Sequence, residues 1–319
     1  MTPISTDLLT MGVAKEFAYG TAVAPTTYPI VDPSSKFEMV HQPIEHKGKA
    51  GSRAELQKTS AGPESVKGTI KFRLEPENAG EILGAFFGSD TVTDLGSGAY
   101  QHDMVAAEAS QTESLTISVD RGAADGRHNY VGCVPDKLTF EGDDSGAVSL
   151  TCEMMGKDEE DGSALTPTIS DLEPFVFHMT AINLNGSTLS CKKWKITLAN
   201  NVKLQRGIQG GGVRTPQSYI VGVVSADFEA SIVFENNDLR DAWKAATVGN
   251  FTVTLTGDVV SGSNNYQLVL ELTKVIFGAG EFSESDGAIG VEVKGNGIYD
   301  RDAGALITAT LVNSVAAAY

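Results

Sequence analysis

The sequence predicts a mainly β protein made of two related halves, each with one short α-helix. Three observations predict it. Apolar and polar residues alternate over many short runs, glycine is frequent at 34 of 319 residues, and one strand–helix–strand series occurs twice in the same order. With 41% hydrophobic and 20% charged residues, the composition is that of a chain able to bury an ordinary core.

The elements follow along the chain. Residues 14–31, "AKEFAYGTAVAPTTYPIV", precede the first convincing strand and show no helix or strand period. They are not expected to be a targeting peptide. A secretory signal needs a basic start and roughly 7–15 apolar residues, and "MTPISTDLLTMGVAKEF" has neither. Residues 1–34 are therefore read as an N-terminal arm outside both repeated halves.

The first half is read as 35–165. "SKFEMVHQPIEHK" (35–47) predicts a strand that runs into a long polar loop, "PIEHKGKAGSRAELQKTSAGPE" (43–64). In "GTIKFRLEPENAGEILGAFFG" (68–88), Ile70, Phe72 and Leu74 alternate with Thr69, Lys71 and Arg73, the period of a half-buried strand. Ala79, Ile82, Leu83 and Phe86 then fall at helical spacing, with Pro76 placed to start the helix. "SLTISVD" (114–120) and "KLTFEGDDSGAVSLTCEMMGKDEED" (137–161) predict further strands separated by acidic turns.

The second half, 166–319, repeats this order after a linker near "DGSALTPTISDLEP" (161–174). "CKKWKITLANNVKLQR" (191–206) places Trp194, Ile196 and Leu198 on one face and answers 35–47. In "FEASIVFENNDLRDAWKAATVG" (228–249), Ala230, Ile232 and Phe234 precede Leu239, Ala242, Trp243 and Ala246, each 160 residues after its counterpart. "NFTVTLT" (250–256) answers "SLTISVD" at an offset of 136, and Tyr266 answers Tyr130 at the same offset. The difference of 24 places an insertion in the first half near 89–112. "KVIFGAGEFSESDGAIGVEVKGNGIYDRD" (274–302) parallels 137–161.

Sites for chemistry are sought in the sequence and not found. "GDDSGA" has the wrong spacing for a nucleophile elbow, and "MMGKDEED" lacks the first glycine and the hydroxyl of a phosphate loop. His41, His46, His102, His128 and His178 form no paired metal-ligand spacing and are expected at the surface or in loops. The acidic turns "EGDDSG" and "GKDEEDG" do not match a calcium-loop spacing and read as solvated turns. Cys133, Cys152 and Cys191 show no CxxC spacing, and Cys152 reads as a small core hydrophobe. No catalytic, cofactor or metal residue is assigned, and the chain is not expected to be an enzyme. The net charge of −17 disfavours nucleic acid or anionic membrane as a held partner.

Several stretches resemble the major tail tube proteins of long-tailed (siphovirus-like) bacteriophages. "AKEFAYGTAVAPTTY" is similar to the family's N-terminal arm. "INLNGSTLSCKKWKITLANNVKLQRGI" (182–208) is similar to the opening of a second tail tube domain, and "GTIKFRLEPENAGEILGAFFG" to the strand–helix pair of a first. The resemblance spans essentially the whole chain, and the order of the motifs carries it.

The resemblance implies two tandem tail-tube-type β-sandwich or barrel domains in a virion protein that assembles in the host bacterial cytoplasm. Its copies would form rings that stack into a hollow tube, with the tape-measure, tail terminator and distal tail proteins as partners and DNA passing through. Duplication favours three chains per ring with pseudo-sixfold symmetry over six chains. The resemblance also implies a basic inter-ring loop with Lys47, Lys49, Arg53 and Lys58, answered by Arg206 and Arg214 in the second half. Phe17, Tyr19 and Tyr28 would anchor the arm on a neighbouring subunit or domain. An acidic lumen would let DNA slide. The alternative reading is an immunoglobulin-like surface-binding or capsid-decorating protein; a β-rich hydrolase or lectin with dispersed site residues is a third.

Overall fold

The computed structural model describes residues 8–49, 51, 53–106, 112–208, 211–233, 248–278, 281–285 and 288–319. The alternating runs become strands. In the first half these are β1 (Thr10–Lys15), β2 (Lys36–His41), β3 (Ile44–Lys47), β4 (Leu56–Ser60), β5 (Glu64–Arg73), β6 (Thr91–Gly96), β7 (Ala99–Val105), β8 (Leu115–Asp120), β9 (Arg127–Asp143), β10 (Ser149–Gly156) and β11 (Asp158–Asp161). The helix α1 spans Gly80–Phe87. The second half contributes β12 (Thr180–Leu184), β13 (Ser187–Thr188), β14 (Cys191–Ala199), β15 (Lys203–Gln205), β16 (Ser218–Ile220) and β17 (Ser225–Val233). It continues with β18 (Gly249–Ser261), β19 (Asn264–Phe277), β20 (Glu281–Ser285), β21 (Ala288–Gly297) and β22 (Thr308–Asn313).

All the pairings are antiparallel, and their order recurs. In the first half β2 pairs β5, β5 pairs β10, and β10 pairs the C-terminal part of β9. The N-terminal part of β9 lies between β8 and β11, and β8 pairs β1. In the second half β14 pairs β17, β17 pairs β21, and β21 pairs the end of β19 and then β20. The start of β19 lies between β18 and β22, and β18 pairs β12.

One long strand therefore serves two layers in each half. In β9 the change of layer falls where Gly132 takes a φ of 64° and the β10 register shifts between Glu153 and Met154. A bulge is how a strand bends from one layer into the next. The layers close on an apolar core. Phe37 in one meets Tyr130 in the other at 5.4 Å between rings, and Tyr130 donates its hydroxyl to the Phe37 carbonyl at 3.1 Å. The second half has Phe228 stacked on Phe251 at 4.2 Å in the same role.

Four expectations change. Tyr130 lies opposite Ile117, and Val253, the counterpart of Ile117, lies opposite Leu270. Leu270, not Tyr266, therefore occupies the Tyr130 position. The cause is strand length: β18 and β19 run on to a tight turn after Ser261, whereas β8 and β9 are joined through the short turn at Ala124–Gly126. Second, the acidic stretch after Gly156 is not a turn but strand β11, and Glu159 pairs with His128 at 3.1 Å.

Third, α1 is not amphipathic in its surroundings. Pro76 sits in the turn ahead of it, and Ile82, Leu83, Ala85, Phe86 and Phe87 are all buried. Tyr319 covers the outer side so closely that a Cβ on Gly80 would lie 2.0 Å from its ring, and one on Gly84 2.6 Å from its own Cβ. The helix stops at Gly88, whose φ of 68° carries the left-handed cap. The expected second helix, with Leu239, Ala242, Trp243 and Ala246, and the strand residue Phe234 ahead of it lie outside the described residues.

Fourth, His102 is not at the surface. The hairpin β6–β7 falls inside 89–112, and β7 pairs β22, so it stitches the first half to the second. His102 sits fully buried in that seam, with Nδ1 2.8 Å from Asp90 Oδ2 and Nε2 2.9 Å from the Val315 carbonyl. Both partners accept, so both ring nitrogens must carry protons and the imidazolium is the species that fits. Desolvation opposes the charge, but the bonds to Asp90 and the carbonyl outweigh it and the pKa is raised. Cys133 and Cys152 are core residues with thiols pushed up by burial. Cys191 is half-buried and pushed up to about 12.

Because the folded pKa of His102 is raised, its contribution is full below the unfolded value of about 6.5 and is lost as pH rises through the folded value. The stability gap between the native protein and H102Q, read from urea midpoints, is expected to be larger at pH 6 than at pH 9. A gap that does not change with pH would show that His102 is buried neutral.

Candidate assembly surfaces

The layer β2–β5–β10–β9–β14–β17–β21–β20 is one hydrogen-bonded sheet that crosses from the first half to the second. The crossing is the pairing of β9 with β14, from Lys137 opposite Ala199 to Asp143 opposite Lys193. One face buries Phe37, Ile70, Phe140, Leu150, Ile196 and Phe228. The other face is polar and open, as period-2 alternation dictates.

Charge on that open face is balanced. On the seven strands from β2 to β21 it carries Lys36, Lys67, Lys71, Arg73, Lys137, Lys193, Lys195 and Lys294, eight groups. Against them stand seven: Glu38, Glu141, Asp143, Glu153, Asp227, Glu229 and Glu292. The whole chain, by contrast, has 24 Lys and Arg against 41 Asp and Glu.

Among the described residues, the sheet ends in two unclosed edges. β2 pairs only β5, and β20 pairs only β21. A row of unpaired backbone N–H and C=O groups invites another strand.

The two long loops stand together. The first is a hairpin, β3 with β4, whose strand residues are all exposed. It carries Lys47, Lys49, Arg53 and Lys58, all exposed, with Lys47 3.2 Å from Glu45. Arg206 and Arg214 do not extend this basic surface. Arg214 binds the Glu64 carboxylate at 2.6 Å, Arg206 donates to the Glu64 carbonyl at 3.0 Å, and His41 shares the same carboxylate at 2.9 Å. They clamp the second loop onto the base of the first. Glu64, buried at that joint, was not distinguishable in sequence from any solvated glutamate.

The N-terminal stretch is not detached along its length. Residues 10–15 are strand β1, and the chain then straps back over it: the Val13 N–H donates to the Thr27 carbonyl at 2.8 Å, and Val31 bridges Phe72. Glu16 is the buckle. Its buried carboxylate accepts from the Gly20 and Gly132 N–H groups at 2.8 and 2.7 Å, and from the Ser114 and Thr116 hydroxyls at 2.7 and 3.0 Å. Tyr19 packs on Tyr219 at 5.1 Å with Lys157 over its ring, and Tyr28 lies against Gly12, so both anchor the strap to its own chain. Phe17 is 96% exposed.

This constellation offers strand edges, projecting loops and an exposed aromatic. Among the described residues no cluster of metal-ligating groups occurs, and no helix is long and apolar enough to cross a membrane. The sequence pattern of the phage tail tube protein family matches residues 7–297. The chain belongs to the phage tail tube protein family. It is a structural component of the virion tail. No curated protein matches it closely enough to count as a relative.

In this tail tube protein the Glu16 carboxylate satisfies four donors away from water. E16A is expected to cost about 2–4 kcal/mol, because buried donors are left unsatisfied. Limited proteolysis should then cut within 14–31 while the remaining core resists. Unchanged stability would mean that water replaces the carboxylate.

Proposed function

We propose that this tail tube protein closes as a ring of three chains, and that rings stack into the tube through which DNA leaves the particle. In this reading residues 35–165 and 166–319 are two tail tube domains standing for six around the ring. The tape-measure protein occupies the tube during assembly in the host cytoplasm, and terminator and distal tail proteins cap its ends.

The observation that carries the reading is the β9–β14 pairing, which joins one half to the next edge to edge. The same junction can be written between chains. At the internal one, Phe140 lies opposite Ile196. Phe140 is opposite Leu150, which is opposite Phe72; the matching ladder in the second half runs Phe282, Val291, Ile232. Ile196 is opposite Phe228, and the Phe228 counterpart Gly68 is opposite Phe37. Phe282 of one copy therefore meets Phe37 of the next, which brings Lys36 opposite Ser283. Closing both edges also removes the strand ends that would otherwise aggregate. A decorating role for the second half fits less well, because its strands continue the same sheet.

The basic hairpin is assigned to ring stacking, with Lys47, Lys49, Arg53 and Lys58 facing the neighbouring ring of an acidic protein. Arg206 and Arg214 set its base. Phe17 is assigned to the contact that the strap makes with a neighbour.

Two measurements test these assignments. Oxidised K36C/S283C protein is expected to run as covalent trimers on a denaturing gel, with K36C alone unlinked. Tubes that form with six chains per ring, or without this cross-link, would overturn the trimer. The charge reversals K47E, K49E and R53E together are expected to leave rings but shorten or abolish tubes at low salt in electron micrographs.

A further inference from the structure

We propose that the open face of this sheet, from β2 to β21, is a self-neutralised track for a polyanion, in which most of the lysines are answered across strands by carboxylates. The inference rests on the tube reading and adds to it that this face lines the lumen. It replaces an acidic wall with a balanced one.

The pairing is built into the register. Glu153 lies opposite Lys137, and their side chains meet at 3.1 Å. Glu141 lies opposite Lys195 at 3.1 Å, across the junction of the halves. Glu229 lies opposite both Lys195 and Lys294, and reaches the latter at 3.3 Å. The sign thus alternates along one cross-strand row. The neighbouring row carries Thr139 between Thr151 and Thr197 at its centre, with Lys71 at one end and Asp227 at the other.

Such pairs contribute little to stability, because they are solvent-exposed. Their effect is on the field. Retention of DNA requires lysine or arginine to take the place of counterions at phosphates, and a lysine already held by a carboxylate is a poor substitute. Opposite charges about 3 Å apart cancel well within a Debye length of roughly 8 Å at physiological salt. A duplex moving past meets no continuous attraction to hold it and no continuous repulsion to resist its entry. Unbalanced lysines would make the wall adhesive.

The experiment removes the carboxylates and keeps their shape. A fluorescent 30-base-pair duplex is titrated with the full chain at 50 mM salt, as native protein and as E141Q/E153Q/E229Q, with circular dichroism to confirm the fold. The native protein is expected not to retain the duplex. The triple variant is expected to bind it, and to lose about tenfold or more in affinity between 50 and 200 mM salt, as a few new phosphate contacts require. K137Q/K195Q/K294Q is expected not to bind. Tight binding by the native protein, or a folded triple glutamine variant that does not bind, would overturn the proposal. Electron microscopy of the same samples reads the tube separately: binding that appears in the variant without tubes in any sample would sink the tube reading and leave the balanced face standing.

Discussion

Backbone pairing between residues 137–143 and 193–199 is the interaction on which the rest depends. Without it each half would be a separate sandwich with an exposed edge on β9 and another on β14. With it, the two halves share one sheet, and the unsatisfied donors and acceptors are moved to the far strands, β2 and β20. Antiparallel strands spend their hydrogen bonds in one plane, so a sheet that grows across halves also fixes their relative twist.

The remaining contacts guard that geometry. The β6–β7 hairpin pairs with β22 and binds the halves a second time, with the imidazolium of His102 and the carboxylate of Asp90 buried in the seam. A buried ion pair is a costly way to gain stability, but either partner alone is costlier, which makes the seam specific. Glu16 and Glu64 act on the same principle at the strap and at the loops. Each is a carboxylate withdrawn from water and satisfied by several donors, so the segments that bring those donors can settle in only one arrangement.

The two faces of the sheet have separate tasks. The apolar face builds the core and cannot vary much without cavities. The open face contributes little to folding, so its charges are free to be set by what touches it. That its signs balance in so acidic a chain places the excess negative charge elsewhere on the molecule.

How much was legible follows from the range of each interaction. Alternation of Ile70, Phe72 and Leu74, or of Trp194, Ile196 and Leu198, reports a strand directly, because side-chain direction has a period of two. The recurrence at 160 residues reports the repeated order for the same reason. The sequence alone therefore determined the mainly β class, the first helix and the exposed basic loop. It could not determine register, which depends on turn length, and so Tyr266 stood in for Leu270. Nor could it determine which polar residues leave water. Glu16, Glu64 and His102 look like surface groups until strands distant in the chain bring Gly132, Arg214 and Val315 to them. Only the tertiary structure decided those partners and the balanced charge of the open face, because both are sums over strands that meet nowhere in the sequence.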